Sequence, residues 1–314
     1  MAKYRHKLPQ LAGDLFLTDA GIETTLIFHE GQQLPYFAAF HLLKDAEGAD
    51  VLHDYFRRHA RIARDHGMGF ILEAATWRSS PDWAKKLGYS PKELDDANRR
   101  AIELLHELRD ELETERSPMV ISGCIGPRGD GYDPAHVMSV EEAEAYHAGQ
   151  ARVFAEADAD MITAITMTNV PEAIGVTRAA QADGMPVVIS FTVETDGKLP
   201  TGETLKHAVE AVDAATGRGP AYYMINCAHP SHFRHALDRQ AWVQRLRGLR
   251  CNASRLSHAE LDEAEELDSG EPAELGADYR NLRERFPQIN VLGGCCGTDH
   301  RHIEHICQAC MVAA

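Results

Sequence analysis

The sequence predicts a single α/β domain that folds as a closed (β/α)8 TIM barrel, and three observations support this prediction. Short apolar runs of strand length alternate with longer helical patterns along the whole chain. The runs number eight, as a closed parallel barrel requires. No linker-like break divides the 314 residues, so we expect one domain covering residues 1–314. An open doubly wound sheet is the alternative architecture.

Each predicted strand is a short apolar segment bounded by polar or turn residues. A helical pattern follows each segment, because parallel strands need a crossover connection between them. The strands are predicted at residues 15–19, 69–74, 119–124, 160–166, 186–192, 221–227, 247–252 and 290–294.

Several predicted helices carry recognisable start and stop signals. Ser90 and Ser139 are each followed three residues later by glutamate, which is the capping-box spacing at a helix N-terminus. Residues 51–66 place their apolar side chains on one face, and Gly67 ends that pattern. The strongly acidic segment 257–276 is too polar for the barrel wall. We expect it to be an excursion on the active face, either a lid or a solvated acidic loop.

Composition excludes several classes of partner. The formal net charge is -16 and the pI is near 5.5, which disfavours binding to nucleic acid or to anionic lipid. No segment approaches the roughly 20 apolar residues that span a bilayer. The seven cysteines are an odd number and two are adjacent, which favours metal or redox chemistry over a disulfide framework. We therefore expect a cytoplasmic protein.

Three cysteines occur at the ends of predicted strands. Cys227 ends the sixth strand, and the adjacent Cys295 and Cys296 end the eighth. The carboxyl ends of barrel strands share one rim, and glycines around the pair let two successive thiols turn toward one point. Zinc takes thiolate ligands readily, and three protein ligands with one open position are typical of a catalytic zinc site. We predict zinc on these three cysteines, which are also the candidate catalytic residues.

Three thiolates leave zinc with a net negative charge. Such a centre is a poor activator of water, but it holds a substrate thiol deprotonated at neutral pH. Alkylation of the bound sulfur relieves the excess charge. The chemistry that fits is transfer of an alkyl group to a thiol.

These motifs resemble the zinc-dependent homocysteine S-methyltransferase family, which includes betaine-homocysteine methyltransferase and the homocysteine domain of cobalamin-dependent methionine synthase. The resemblance covers nearly the whole chain. It implies a barrel that binds homocysteine through zinc and methylates it to methionine with a small onium donor. The matching segments are Asp19-Ala-Gly21-Ile-Glu-Thr24, Gly123-Cys-Ile-Gly126-Pro127, Asn226-Cys227 and Gly293-Gly294-Cys295-Cys296-Gly297-Thr298.

The chain departs from the family pattern at two positions. In the family's Asp-Gly-Gly turn, which lies under the amino-acid end of the substrate, Asp19 and Gly21 match and Ala20 does not. After the fourth strand the family commonly has a glutamate that binds the substrate's ammonium group, and this chain has Ile165. Losing such a charge-assisted bond usually costs about 1.5 to 3 kcal/mol. Another acid supplies it, or the acceptor is a different thiol.

The candidate substrate-binding residues are the family matches together with polar or aromatic side chains at strand ends. Acids at strand ends also cap helices or pair with arginine, which is the alternative for each of them. An aromatic face attracts onium groups by about 0.5 to 2 kcal/mol, although rim packing is the alternative for the tryptophan. The set is Asp19, Gly21, Glu23, Glu73, Trp77, Glu194 and Asn226.

Other interpretations remain open at this stage. Cys295 and Cys296 could form a redox dithiol, or zinc could activate water for hydrolysis. A third reading is a zinc that only joins two strands, with a protein ligand such as His229 in its fourth position. We expect Cys307 and Cys310 to pack on a terminal helix, and Cys124 and Cys251 to be small buried side chains.

Overall fold

In the computed structural model, which describes residues 1–132, 137–264 and 266–311, eight parallel strands close into a barrel. They follow one another in chain order, and the first strand pairs with the last. The predicted barrel is therefore confirmed. The strands are β1 Phe16–Leu17, β2 Gly69–Glu73, β3 Met119–Ile125, β4 Met161–Met167, β5 Val187–Phe191, β6 Tyr222–Asn226, β7 Leu246–Cys251 and β8 Val291–Gly294.

Helices surround the barrel and return the chain between strands. Shorter helical turns occupy Pro9–Ala12, Thr24–His29, Pro35–Phe37, Ala39–Lys44 and Ala241–Arg245. None of the helices in the described ranges is long and apolar enough to cross a membrane. The α-helices are α1 Ala46–Asp65, α2 Pro81–Lys86, α3 Pro91–Leu112, α4 Val140–Glu156, α5 Val170–Ala182, α6 Leu205–Thr216, α7 Pro230–Phe233, α8 His258–Asp262, α9 Pro272–Arg285 and α10 His300–Met311.

The predicted helix caps are confirmed, and two boundaries differ from expectation. Ser90 and Ser139 each form a complete capping box at the start of α3 and α4. Helix α1 begins before the apolar pattern, because the Asp45 side chain accepts a hydrogen bond from Gly48 N at 2.8 Å. The predicted acidic excursion contains α8, and its final residues, from Pro272 onward, already belong to α9. Residue 265 within it lies outside the described residues.

Alternation along the strands separates two apolar layers. One set of side chains packs inside the barrel near its amino-terminal end, and the other packs between the sheet and the helices. Gln10 seals the amino-terminal end, where its amide nitrogen lies 3.4 Å from the Tyr222 hydroxyl. The inner layer consists of Leu8, Phe16, Ile71, Val120, Met161, Val188, Tyr222, Met224 and Val291.

A fully buried carboxylate joins four parts of the fold. Asp160 precedes β4 and accepts hydrogen bonds from Arg109 Nη1 at 2.7 Å, from Ile121 N at 2.9 Å and from Tyr4 N at 2.7 Å. These donors belong to α3, to β3 and to the amino-terminal segment. Asp160 thus holds that segment and α3 against the sheet.

We predict that Asp160→Asn lowers the free energy of unfolding by about 3 to 5 kcal/mol, because it leaves the Arg109 charge buried without a carboxylate. Urea denaturation measures the change. The matched control is Asp96→Asn, which breaks an exposed pair with Lys92 on α3 and should change stability by no more than about 0.5 kcal/mol. Equal losses in the two variants would contradict the assigned role.

Candidate active site

A cavity of about 320 Å³ opens at the carboxyl-terminal end of the barrel. Its walls come from the loops that follow several strands, as expected for the reactive face of this architecture. The three predicted metal ligands line it, and so does Ile165, which stands where the family has glutamate. Five of the candidate substrate-binding residues also line the cavity: Asp19, Gly21, Glu23, Glu73 and Trp77.

The sulfur atoms of the three cysteines converge at one side of this cavity. All three lie within 4.8 Å of one another. Cys227 and Cys295 are in bonding contact as a disulfide, and Cys296 Sγ lies 3.7 Å from Cys227 Sγ. In the part of the chain that the structure describes, this is the one cluster of three or more side chains that could hold a metal ion.

Backbone geometry explains why these sulfurs meet. Cys227 has a φ of +52°, a left-handed conformation that turns its side chain out of the strand direction. Gly297, with a φ of +78°, lets the chain turn directly after the cysteine pair. Gly21 lies so close to this turn that a Cβ there would sit 2.5 Å from the Cys295 carbonyl oxygen. The turn after β1 therefore needs glycine at position 21 for steric reasons.

Asn226 is fully buried and does not line the cavity. Its Oδ1 accepts hydrogen bonds from Thr166 N at 2.9 Å and from Ser190 Oγ at 2.6 Å, and its Nδ2 donates to Thr166 Oγ1 at 2.8 Å. Thr166 has a φ of +63° at a register shift in β4. The amide thus supports a strained turn in β4 and sits directly before Cys227.

A buried charge cluster forms the floor of the cavity. Arg250, on β7, has Nη2 2.9 Å from Asp19 Oδ1 and Nη1 3.6 Å from Glu73 Oε2. It also donates to the Gly294 and Ala20 carbonyl oxygens, both at 3.2 Å. Two carboxylates thus share one arginine directly beside the cysteine turn.

Burial shifts the protonation of the acids in this cluster. Desolvation raises the pKa of Glu73 to about 7, although Arg250 acts in the opposite direction. Desolvation also raises the pKa of Glu23 to about 7. Oε1 of Glu73 is buried and finds no hydrogen-bond partner among the described residues. A cation that enters the cavity would stabilise the ionised form of both glutamates.

Tyr132 and His258 cover the sulfur cluster. The Tyr132 hydroxyl lies 3.3 Å from Cys227 Sγ and 3.5 Å from Cys296 Sγ. Its ring packs on His258 with the ring centres 4.2 Å apart, and His258 Nε2 donates to the Cys227 carbonyl oxygen at 2.6 Å. Glu194 does not line the cavity; its Oε1 lies 3.3 Å from His258 Nδ1.

The other cysteines and His229 lie outside the sulfur cluster. Cys307 and Cys310 are buried on α10, and Cys251 is buried on β7, as expected. Cys124 is buried as well, but it also lines the cavity wall. His229 Nδ1 contacts Ser231 Oγ at 2.8 Å, and this histidine is not part of the sulfur cluster. The acidic excursion contributes Leu261, Ala264, Glu266, Leu267 and Asp268 to the cavity wall.

The donor set fits a zinc ion. Three thiols within 4.8 Å of one another offer the soft ligands that zinc prefers. The open cavity in front of them leaves space for a substrate ligand. Cys227 and Cys295 must be reduced for this, because a disulfide sulfur cannot act as a thiolate ligand.

Comparison with known proteins agrees with this geometry. The family model described as Homocysteine S-methyltransferase matches residues 16–310. The chain belongs to the homocysteine S-methyltransferase family. It is a methyltransferase of that family, and methyl transfer to homocysteine is the reaction that the family assignment supports. No curated protein sequence matches the chain significantly.

Solved structures show the same fold. The homocysteine methyltransferase MmuM from Escherichia coli in its oxidized form has a TM-score of 0.73 at 20% identity, covering 95% of this chain and 98% of that protein. Its metallated form has a TM-score of 0.68 at 18% identity, with 96% of each chain covered. Its apo form has a TM-score of 0.64 at 18% identity, covering 97% and 100%. That protein thus has a metal-bound and an oxidised state.

Three residues that line the cavity have no clear functional signal in the sequence. Arg250 was one residue within a predicted strand, and a charged residue in an apolar barrel strand was the available signal. Tyr132 follows a glycine-rich loop after β3, and His258 opens the acidic excursion. Nothing in their local sequence indicates that the two rings meet above the cysteines, because that contact depends on how two distant loops pack.

We predict that Asn226→Ala lowers the free energy of unfolding by about 1 to 3 kcal/mol, because the buried Thr166 N–H loses its acceptor. Ser190→Ala removes only one of the three hydrogen bonds and should cost about 0.5 to 1.5 kcal/mol. Chemical denaturation of both variants tests this ranking. A smaller loss for Asn226→Ala than for Ser190→Ala would contradict it.

A second prediction concerns pH. The pKa of Glu73 is about 7 in the folded protein and 4.5 when exposed, so the folded state holds this proton more tightly, and stability falls as pH rises from 4.5 to 7. Glu73→Gln removes this loss. The stability of the variant relative to wild type should therefore increase by up to about 3 kcal/mol across that window. Urea denaturation at several pH values measures the change, and Glu107→Gln, at an exposed position on α3, is the control for the substitution itself. A difference that does not change between pH 4.5 and 7 would contradict the prediction.

Proposed function

We propose that this protein transfers a methyl group from a small onium donor to homocysteine, giving methionine, while zinc holds the acceptor thiol. The observation that carries the proposal is the convergence of Cys227, Cys295 and Cys296 at one side of an open cavity. These three residues would hold the metal. When bound, zinc supplies a substrate thiolate at neutral pH, which is the reactive form of the acceptor.

The acids of the cavity floor would bind the amino-acid end of homocysteine. The side chain of Ile165 cannot bind an ammonium group, and Glu73 carries a buried oxygen with no hydrogen-bond partner among the described residues. Asp19 and Glu73 together hold two carboxylates against the single charge of Arg250. The cluster therefore favours one further cation when both acids are ionised, and an ammonium group satisfies it. Glu73 thus takes over the role of the family glutamate.

The transfer step itself needs few protein groups. The substrate sulfur forms a new bond to the methyl carbon while the bond from that carbon to the donor's onium atom breaks, and the bonding electrons leave with the donor. Sulfur becomes a neutral thioether and the donor loses its positive charge, so no proton has to move in this step. The chain's own task is to orient the two substrates and to exclude water. The excursion loop with Leu261 and Leu267 gives the cavity an apolar cover for this purpose.

A dithiol redox function is the second candidate, and the bonded pair Cys227 and Cys295 is the observation that favours it. The pair differs from the adjacent cysteines that the sequence suggested. A redox enzyme would keep its activity after chelation of metal, whereas the methyltransferase would lose it. We propose a cytoplasmic location, because a metal site built of thiols requires a reducing compartment.

The test is proton release during thiol binding. Homocysteine is added to the reduced, zinc-loaded protein in weak buffer, and the protons released are titrated. We expect about one proton for each homocysteine bound near neutral pH, because a thiol with a pKa near 8.5 must deprotonate to coordinate zinc. Chelation of the metal should abolish the release. Zinc-loaded protein that binds no thiol would contradict the proposal.

Cys295→Ser is the matching variant. Serine is a far poorer zinc ligand than cysteine thiolate, so zinc content, proton release and methyl transfer should all be lost. Cys307→Ala changes a buried cysteine on α10, away from the sulfur cluster, and should keep its zinc and its activity. Full activity in Cys295→Ser would refute the three-thiolate site.

A further inference from the structure

Arg78 is a buried cation that the proposed reaction does not yet use. It follows β2, lines the same cavity as the cysteines and is only 6% exposed. Its guanidinium carbon lies 4.2 Å from the ring centre of Trp77 and 4.0 Å from that of Trp83. The two indole rings thus fix the guanidinium group in place.

The hydrogen bonds of Arg78 leave part of the guanidinium group unsatisfied. Nη1 donates to the Gly129 carbonyl oxygen. Nε is buried and has no hydrogen-bond partner within the described ranges. Asp130 and Glu23 attract its charge and act to raise its pKa, but no salt bridge joins Arg78 to an acid within the described residues. Burial lowers the pKa of Arg78, and the attraction of these acids acts in the opposite direction.

Arg250, the other arginine among the described lining residues, already has acidic partners. Arg250 already faces two carboxylates, Asp19 and Glu73. Among the described residues that line the cavity, Arg78 is therefore the arginine left to bind an additional anion. A planar guanidinium matches a carboxylate through two parallel hydrogen bonds, and burial strengthens such a pair. A buried charge without a partner is costly, and an incoming carboxylate relieves that cost.

The position of Arg78 also changes the predicted role of Trp77. Its guanidinium group covers one face of the Trp77 ring. An onium group would have to displace this cation to use that face. The tryptophan thus supports a cation of the protein, and the acids of the cavity floor are left to attract cationic parts of the substrates.

We infer that Arg78 binds the carboxylate group of a substrate that enters the cavity. This inference rests on the proposed methyl transfer and adds to it the residue that would recognise a substrate carboxylate. Homocysteine and an amino-acid onium donor such as S-methylmethionine both offer this group. Compounds that lack it should bind without help from Arg78.

The test compares binding to reduced, zinc-loaded wild type and Arg78→Gln by calorimetry. Four probes are used: homocysteine, its decarboxylated analogue 3-aminopropane-1-thiol, S-methylmethionine and trimethylsulfonium. We expect the variant to lose about 10- to 100-fold in affinity for homocysteine, for S-methylmethionine or for both. The two probes without a carboxylate should bind equally to both proteins. The probe that loses affinity identifies the substrate whose carboxylate is bound.

Two further variants separate the inference from general damage. Arg78→Lys keeps the charge without the planar fork and should show an intermediate loss. Arg128→Gln is the matched control, because Arg128 also lies over an aromatic ring, that of Tyr146, pairs with Asp82 and does not line the cavity. It should bind all four probes as wild type does. Zinc content and thermal unfolding establish that each variant is folded.

The outcomes distinguish this inference from the proposed function. Wild type that fails to bind homocysteine would refute the proposed function, and the inference would fall with it. Normal homocysteine binding by wild type, combined with unchanged affinities in Arg78→Gln and Arg78→Lys, would refute only the role of Arg78. An equal loss for the probes without a carboxylate would likewise refute it, because the effect would then not depend on that group.

Discussion

The pairing of β1 with β8 is the constraint on which the site depends. It closes the barrel and places the turn after β1 against the turn after β8, although almost the whole chain separates them. Gly294 N donates to the Asp19 carbonyl oxygen at 3.0 Å, and Gly21 N donates to Thr298 Oγ1 at 3.1 Å. The cysteine pair is therefore held from both sides of the closing seam. If β1 and β8 paired in another register, Asp19 would move away from the sulfur atoms of Cys295 and Cys296.

Charge is distributed unevenly across the cavity. Carboxylates and Arg250 lie beside the cysteine turn, whereas Arg78 is held between tryptophans near the loop that carries Gly129. An amino acid carries a positive ammonium group and a negative carboxylate group on the same carbon, and a cavity with both kinds of partner suits such a molecule. Glu23 and Glu73 have pKa values of about 7, so their protonation depends on what occupies the cavity. A bound ammonium group would favour the ionised form of both side chains.

Much of the fold and the convergence of the three cysteines could be predicted from the sequence. Strand-length apolar runs, helix caps and the cysteines at strand ends are local signals, and barrel geometry converts them into positions on one rim. Contacts between distant loops have no local signal. Tyr132 over the sulfurs and Arg250 between two acids are of this kind. Asn226 shows what a local motif does not reveal. Its position before Cys227 indicated a substrate-binding role, but its side-chain amide is hydrogen-bonded to Thr166 of β4.

The enclosure of Arg78 by two indole rings has a practical consequence. The chain has three tryptophans, and two of them, Trp77 and Trp83, lie against this one guanidinium group. Indole emission responds to nearby charge, so two of the three tryptophans of the protein can report on the surroundings of this arginine. The protein therefore carries its own optical reporter at the cavity wall, and occupancy of this part of the cavity can be followed without any added label.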